Sequence, residues 1–324
     1  MGAAAHSNRV PELDCLRFIA ALAVMLFHFT SWDRLDTYLR LGWIGVPLFF
    51  MISGFVILWS ATGSTPLRFV TSRISRLYPS FWVCASLTAL LKLDQVSVTQ
   101  YLANMTFAHF VLKIDSINSV YWTLFVEIKF YCLIFVLLSL RQLKHVEKWA
   151  LAWLGASFVP ALDKVTLDDY GALFLAGMFM FLLWRDGPSP LRLAATAVAA
   201  VAGTLQMSSA PVLSNYGVPG QFVPAVLALT CCHAAMFAIA MRWLRVDISF
   251  YLLGSLTYPL YLIHGPLGDE IWTLLDAPPV VKLIVASMLS LLVAAVIAAY
   301  VERRACGALN RLLNRRLDRV SQGH

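Results

Sequence analysis

Three ionisable side chains, Asp14, Arg17 and His28, lie in the first long hydrophobic stretch of the chain, residues 13–31. At about 100° per residue in a helix, the step from Arg17 to His28 ends roughly 20° past three full turns, so both side chains leave the same side. A charged group inside a membrane costs about 2.5–3.5 kcal/mol and therefore usually faces a protein interior or a wet cavity. We expect this face of the segment to line a site, with Arg17 and His28 roughly 16 Å apart along its axis.

His28 is the candidate base of that site. A neutral imidazole can accept the proton of an alcohol while the alcohol oxygen attacks a carbonyl carbon. The alternative is a structural histidine that is hydrogen-bonded between helices. The presence of Asp14 and Arg17 on the same face favours a functional role, because three buried ionisable groups are costly unless they are used.

Glu127, in the stretch YWTLFVEIKFY, is the candidate acid of a second segment. Its carboxylate could orient an imidazole or hold a hydroxyl group. It could equally form a packing ion pair with Arg17 or Lys129. His264 is open in the same way, as an interfacial histidine or a site residue, whereas we assign His109 and His233 to structure.

A basic segment, RFVTSRISRLYP, could bind phosphate groups. Arg73 and Arg76 lie about one helical turn apart, with Arg68 just upstream, and such a cluster can clamp phosphates. The alternative is the excess of basic residues common to cytoplasmic loops. In residues 45–58, the small residues Ser53 and Gly54 indicate close helix packing.

The composition places the chain among integral membrane proteins. Of its 324 residues, 60% are hydrophobic and 13% are charged, and the mean hydropathy is +0.73. The net charge of +7 does not indicate a nucleic-acid partner, because the basic residues are spread between apolar runs. The six cysteines lie within apolar stretches without metal or disulfide spacing, which predicts small buried hydrophobes and no metal site.

Runs of mostly apolar residues predict an all-α integral membrane protein with a bundle of about ten transmembrane helices. Residues 1–324 form a single domain on this interpretation, with 302–324 as a basic cytoplasmic tail that rests on anionic headgroups. We expect the first segment to remain as a helix rather than to be cleaved as a signal peptide. The predicted spans are 13–31, 41–60, 77–94, 119–140, 148–162, 168–184, 190–208, 220–241, 246–264 and 279–301.

The positions of lysine and arginine predict the orientation of the bundle. Of the 25 basic residues, 17 fall in segments on the side of the N-terminus and five on the opposite side. Because cytoplasmic loops are enriched in such residues, both termini are predicted to be cytoplasmic. Arg17 then lies in the inner half of the membrane, and His28 lies in the outer half. Glu127 is predicted at a depth comparable with His28, and the ninth helix is predicted to end at His264.

Taken together, the motifs resemble the membrane-bound acyltransferase-3 family, bacterial integral-membrane enzymes that O-acylate extracytoplasmic glycans and related acceptors. The matching stretches occur in the family's order and span residues 9–303. They are RVPELDCLRFIAALAVMLFH, PLFFMISGF, RISRLYP, WTLFVEIKFY, SLTYPLYLIH and the closing YVER. Departures are modest: Thr123 stands where a serine is commoner, and Lys129 is an unusual charge beside its motif.

The resemblance implies acyl-CoA, commonly acetyl-CoA, as a cytoplasmic donor substrate, and a fold of about ten membrane helices. It makes His28 the catalytic histidine and Arg17 its partner, with Glu127 at the family's acidic position, and we add Asp14 to this catalytic group. It associates Arg73 and Arg76 with the donor, and we expect Arg68 to assist them. Within the quoted stretches, the residues expected to contact substrates are Ser53, Trp122, Tyr258 and His264.

The predicted function is therefore O-acylation of a glycan or glycolipid hydroxyl in the bacterial cytoplasmic membrane. A transporter or flippase that uses the polar face as a path is the alternative, and inverted repeats would favour it, but none is evident. The partners expected are the acceptor, acyl-CoA and membrane lipids. A homo-oligomer is compatible with the sequence.

Overall fold

The computed structural model describes residues 10–31, 39–162, 166–216 and 218–322, and within these ranges the regular structure is entirely helical. Arg9, Arg34 and Lys164, which enter the charge count, lie outside the described residues. The helices are α1 Pro11–Ser31, α2 Gly45–Ala61, α3 Pro66–Leu91, α4 Val98–Met105, α5 His109–Leu112, α6 Tyr121–Ser139, α7 Val146–Ala156, α8 Gly171–Asp186, α9 Pro190–Met207, α10 Ala210–Asn215, α11 Phe222–Ala240, α12 Tyr251–Leu274, α13 Pro279–Ile297 and α14 Gly307–Gln322.

Five helical segments of the described chain are long and apolar enough to cross a membrane, which makes the protein an integral membrane protein. They are Pro11–Thr30, Leu39–Ala61, Tyr121–Ser139, Phe222–Ala240 and Pro279–Arg319. A helix overlaps each of the ten predicted spans, yet α7 is only 11 residues long. At 1.5 Å per residue this helix is about half the thickness of the hydrocarbon core. The count of ten spans and the orientation stay predictions.

The third and ninth predicted spans had wrong boundaries. Helix α3 begins at Pro66 rather than at residue 77, because Thr65 accepts a hydrogen bond from the Arg68 amide and proline fits the first turn. Helix α12 continues to Leu274, so His264 lies within the helix and not at its end. Hydropathy alone does not detect a helix that continues through polar residues.

A side chain from another segment supports α12 where proline interrupts its hydrogen bonding. Pro266 lies inside this helix, and its missing N–H leaves the carbonyl of Leu262 without its helical donor. The Asn118 side-chain amide donates to that carbonyl oxygen at 2.8 Å. The helix can therefore pass through the proline while the adjoining turn keeps His264 in place.

Helices α2 and α8 pack with their backbones in close contact at two glycines. A Cβ atom added at Gly54 would overlap the carbonyl oxygen of Phe174, and one added at Gly177 would overlap that of Met51. Small residues permit such an approach in membrane bundles. The packing role predicted for Gly54 agrees with this contact, which holds α2 directly against α8.

We expect Gly54→Ala to lower the melting temperature of the detergent-solubilised protein. The added methyl group has no room, and overpacking of this kind typically costs about 1–3 kcal/mol. Gly155→Ala is the matched control, because Gly155 is also helical and no atom lies within 4 Å of a Cβ there. Equal melting temperatures for the two variants would contradict the packing argument.

The six cysteines form no disulfide, but the prediction that all are buried was wrong. Cys84 is buried, whereas Cys132 and Cys231 are exposed on the helix bundle and the other three are intermediate. An apolar stretch of a membrane protein can face lipid as readily as the core, so hydropathy does not distinguish these positions. His109 and His233 are both buried, at 1% and 6% exposure.

The predicted basic tail is helical and packs against α3. Helix α13 continues through a π-helical segment, Ala298–Cys306, into α14. Arg68 pairs with Asp318 at 3.1 Å, and the Thr71 hydroxyl donates to the side-chain oxygen of Asn314 at 3.1 Å. The tail is therefore part of the folded structure, while its contact with lipid headgroups stays a prediction.

Candidate active site

A cavity of about 740 Å³ lies among α1, α2, α3, α6, α12 and the C-terminal helical segment. This volume falls in the range of small-molecule and cofactor sites. Seven of the predicted site residues line it: Asp14, Arg17, Ser53, Arg73, Arg76, Glu127 and Tyr258. The remaining four, Arg68, Trp122, His28 and His264, do not line this cavity.

Glu127 and Ser53 connect α6 to α2 across the cavity wall. The Ser53 hydroxyl donates to Glu127 Oε1 at 2.6 Å, a short distance typical of a hydroxyl bonded to a carboxylate. Ser53 and Gly54 are neighbours about 100° apart around the helix. One therefore faces the cavity while the other packs against α8. Glu127 shares the cavity wall with Arg17, and the depth predicted for it, comparable with that of His28, stays a prediction.

Arg73 and Arg76 enter the cavity from consecutive turns of α3. The Arg73 guanidinium lies 5.8 Å from the ring centre of Phe69 and 5.9 Å from that of Tyr131. Its Nη2 donates to the Ser72 hydroxyl at 3.1 Å, but its Nε is buried and has no hydrogen-bond partner among the described residues. Because buried donors are normally paired, Arg73 retains capacity for an anionic ligand.

Arg68 lies apart from the two arginines with which it was grouped. Its side chain is exposed, at 60% of its surface, and pairs with Asp318. Five residues separate it from Arg73, and this step is about 500° around a helix, so the two side chains face different sides. The structure places Arg68 against α14 and not on the cavity wall.

Trp122 also lies apart from the cavity. Its ring packs 5.3 Å from that of Tyr170 and 6.3 Å from that of Phe50. This aromatic cluster fixes the start of α6 and thereby positions Thr123, the next residue, which does line the cavity.

Asp14 and Arg17 form the α1 side of the cavity. Arg17 Nη1 lies 3.9 Å from Asp14 Oδ1, which is an electrostatic contact rather than a hydrogen bond. Helix α12 approaches this carboxylate through Gly254, where a Cβ atom would lie 2.7 Å from the Asp14 carboxyl carbon. Tyr258, one turn further along α12, lines the cavity and donates its hydroxyl to the Leu77 carbonyl at 3.2 Å.

His28 pairs with His264, a contact between residues 236 positions apart. His28 Nδ1 lies 2.8 Å from His264 Nε2, and the stacked rings have centres 4.9 Å apart. His264 is 0% exposed, and its Nδ1 lies 3.0 Å from the Leu260 carbonyl oxygen. The polar residues of α1 are therefore divided between two locations: Asp14 and Arg17 line the cavity, and His28 belongs to a histidine pair.

Tyr261 connects these two places, although sequence reasoning did not single it out. It lines the cavity, its hydroxyl is 2.8 Å from that of Thr123, and its ring centre is 5.9 Å from that of His264. Tyr261 and His264 are three positions apart in SLTYPLYLIH, which places them side by side on a helix. That spacing could have identified the residue.

The charges on the cavity wall favour an anionic ligand with several hydrogen-bond acceptors. Among the residues that the structure describes, four guanidinium groups and three carboxyl groups line it: those of Arg17, Arg73, Arg76 and Arg303, and those of Asp14, Glu127 and Glu302. Glu302 and Arg303 come from the segment predicted as a tail. Guanidinium groups can bind phosphate or carboxylate oxygens in pairs, and the adjacent histidine pair can transfer a proton.

Comparison with known proteins decides the family to which this arrangement belongs. The family model described as an acyltransferase domain, that of the acyltransferase-3 family, matches residues 10–299. The chain belongs to this family. The match ends at residue 299, just before Glu302 and Arg303.

Three relatives of this chain carry names that describe acyl transfer. The chain is 30% identical over 50% of its length to a protein named as a candidate acetyltransferase, ORF330, of Acidianus two-tailed virus. It is 28% identical over 80% of its length to BcsY of Komagataeibacter xylinus, named as a candidate membrane-bound transacylase. It is 24% identical over 80% of its length to the peptidoglycan O-acetyltransferase OatA of Listeria monocytogenes.

The chain spans only part of the length of these relatives. The alignments cover 73% of BcsY but only about half of the other two, 51% of the viral protein and 49% of OatA. No solved structure matches the chain.

Proposed function

We propose that the protein is an O-acyltransferase of the bacterial cytoplasmic membrane that transfers an acyl group, commonly acetyl, from cytoplasmic acyl-CoA to a hydroxyl of an extracytoplasmic glycan or glycolipid. The observation that carries this proposal is the cavity itself, in which Arg73, with its buried Nε, and Arg76 lie near Glu127 and Arg17. Membership of the acyltransferase family supports acyl transfer, and the similarity to the peptidoglycan O-acetyltransferase OatA supports a glycan hydroxyl as acceptor.

The donor is proposed to enter the end of the bundle where α1 and α3 begin. The phosphates of CoA would contact Arg73 and Arg76, because guanidinium groups bind phosphate oxygens in pairs. CoA is too large and too highly charged to cross the membrane, so its thioester end extends along the cavity while its phosphates stay with these arginines. The proposal takes both termini as cytoplasmic, in agreement with the distribution of basic residues.

His28 is proposed to act as the general base. The hydroxyl oxygen of the acceptor attacks the thioester carbon while His28 takes the hydroxyl proton. The carbon–sulfur bond then breaks, and the protonated imidazole returns the proton to the CoA thiolate. Arg17 and Glu127 shape the site, with Asp14 beside Arg17. Transfer through an acyl-histidine is a second route to the same products.

Purified protein in detergent, supplied with acetyl-CoA labelled in the acetyl group, tests this proposal. We expect free CoA to appear together with a labelled ester on an added oligosaccharide acceptor. In sealed proteoliposomes, labelled donor on the side of the N-terminus should acetylate an acceptor on the opposite side. Movement of label or acceptor across the membrane without ester formation would contradict the enzyme proposal and support a transporter.

A further inference from the structure

The contact between His28 and His264 assigns His264 a role different from the substrate contact predicted for it. We infer that His264 is a positioning residue that holds His28 in the tautomer with its proton on Nδ1 and its lone pair on Nε2. This inference rests on the proposed role of His28 as the base. Three groups are connected in sequence: the Leu260 carbonyl, the His264 ring and the His28 ring.

The Leu260 carbonyl determines the tautomer of His264. The carbonyl oxygen can only accept a hydrogen bond, and it lies 3.0 Å from His264 Nδ1. The proton of a neutral His264 ring is therefore on Nδ1, and its lone pair is on Nε2. That lone pair points toward His28 Nδ1, at 2.8 Å.

The tautomer of His264 in turn determines that of His28. An Nε2 atom that carries a lone pair needs a donor opposite it, so His28 carries its proton on Nδ1. Its lone pair is then on Nε2, the atom that must receive the acceptor's proton. This follows the general arrangement in which the group bonded to one ring nitrogen sets the function of the other.

Burial excludes the alternative in which His264 is doubly protonated. The ring is 0% exposed, and an unpaired charge without solvent is costly. Its surroundings are aromatic, since the ring centres of Phe29 and Tyr261 lie 6.2 Å and 5.9 Å away. Its neutral form satisfies both ring nitrogens.

The backbone of α12 makes this arrangement rigid. His264 lies between Leu262, whose carbonyl is bonded by the Asn118 side chain at 2.8 Å, and Pro266. The position of the His264 ring and its hydrogen bond to the Leu260 carbonyl thus both depend on the helical segment that Asn118 supports. The base is therefore already in the reactive tautomer before the substrates bind, and no binding energy is needed to select that tautomer.

A histidine in the same local setting provides a control. His233 is buried, and its Nδ1 lies 2.8 Å from the Leu229 carbonyl, again four residues earlier. It lies on α11 and does not line the cavity. His233→Leu therefore removes a buried, carbonyl-bonded ring without touching the proposed relay, and we expect its kcat to match that of the wild type.

Nuclear magnetic resonance of protein labelled with ¹⁵N in histidine tests the tautomer without any assay of activity. Two-bond correlations between ring protons and nitrogens distinguish the two neutral tautomers, and comparison with His28→Ala assigns the His28 signals. We expect a protonated Nδ1 in the wild type. A protonated Nε2 on neutral His28 would overturn the inference, whether or not the protein transfers acyl groups.

Kinetics of two variants test its consequence. His264→Leu, which cannot accept a hydrogen bond, should lower kcat about 10–100-fold with little change in KM, the size of effect seen when a metal-ligating histidine loses the group bonded to its other ring nitrogen. His264→Gln, whose Oε1 can accept from His28 Nδ1–H, should recover part of that loss. Equal kcat for wild type and His264→Leu, or equal losses in both variants at wild-type thermal stability, would overturn the positioning role.

If His28→Ala itself retained activity, the proposed function would fail and the tautomer measurement would still stand.

Discussion

Replacement of His28 by alanine is expected to lower acyl transfer to the acceptor by about 10²–10⁴-fold, the usual contribution of a general base. The imidazole is the group proposed to take the hydroxyl proton, and alanine leaves nothing at that position to receive it. The variant should bind acetyl-CoA with unchanged affinity, because His28 does not line the cavity that contains Arg73 and Arg76.

The measurement combines ester formation on an oligosaccharide with acetyl-CoA affinity for the same purified protein. His233→Ala serves as the control for removal of a buried histidine, since His233 is also nearly inaccessible but lies on α11. Normal ester formation by His28→Ala would refute its role in the reaction. Loss of donor affinity in that variant would show that His28 also contributes to donor binding.

Joint replacement of Arg73 and Arg76 by glutamine is expected to weaken acetyl-CoA binding by about 100-fold. Hydrogen bonds to charged groups contribute about 1.5–3 kcal/mol each, and about 1.4 kcal/mol corresponds to a factor of ten in affinity. Glutamine keeps a polar side chain of moderate length but loses the charge and the paired donors that phosphate binding needs.

The control for this variant is Arg68→Gln, because Arg68 is an arginine on the same helix, α3. Arg68 was grouped with the donor arginines on sequence, but the structure places it on the surface with Asp318. We expect its acetyl-CoA affinity to stay near that of the wild type. An equal loss of affinity in Arg68→Gln would show that the donor lies nearer α14, and unchanged affinity in the double variant would refute the clamp.

Local periodicity was sufficient for the parts of the site that lie on one helix. The spacing of Asp14, Arg17 and His28 placed them on one face of α1, because 100° per residue is a property of any helix. The same arithmetic placed Arg73 and Arg76 on consecutive turns. It also gives a different direction for Arg68, which our grouping of Arg68 with these two residues overlooked.

Helix periodicity could not predict which residues of different helices contact one another. Depth counted from helix ends predicted a comparable depth for Glu127 and His28 but no contacts for either. The structure pairs Glu127 with Ser53 and His28 with His264. Counting from the ends gives a common depth only for helices that are parallel and begin at the same level. The ninth predicted span also ended at His264, whereas α12 continues through Pro266 with the help of Asn118.

The sequence by itself determined that this chain is an all-helical integral membrane protein, that its motifs are those of an acyltransferase family, and which residues share a helix face. These properties depend on composition and on contacts within a few residues. Only the tertiary structure decided that α1 divides its polar residues between a cavity and a histidine pair, that Tyr261 lies next to both, and that the C-terminal segment contributes Glu302 and Arg303. Those outcomes depend on how helices far apart in sequence pack against one another, and periodicity specifies a helix face without specifying what it meets.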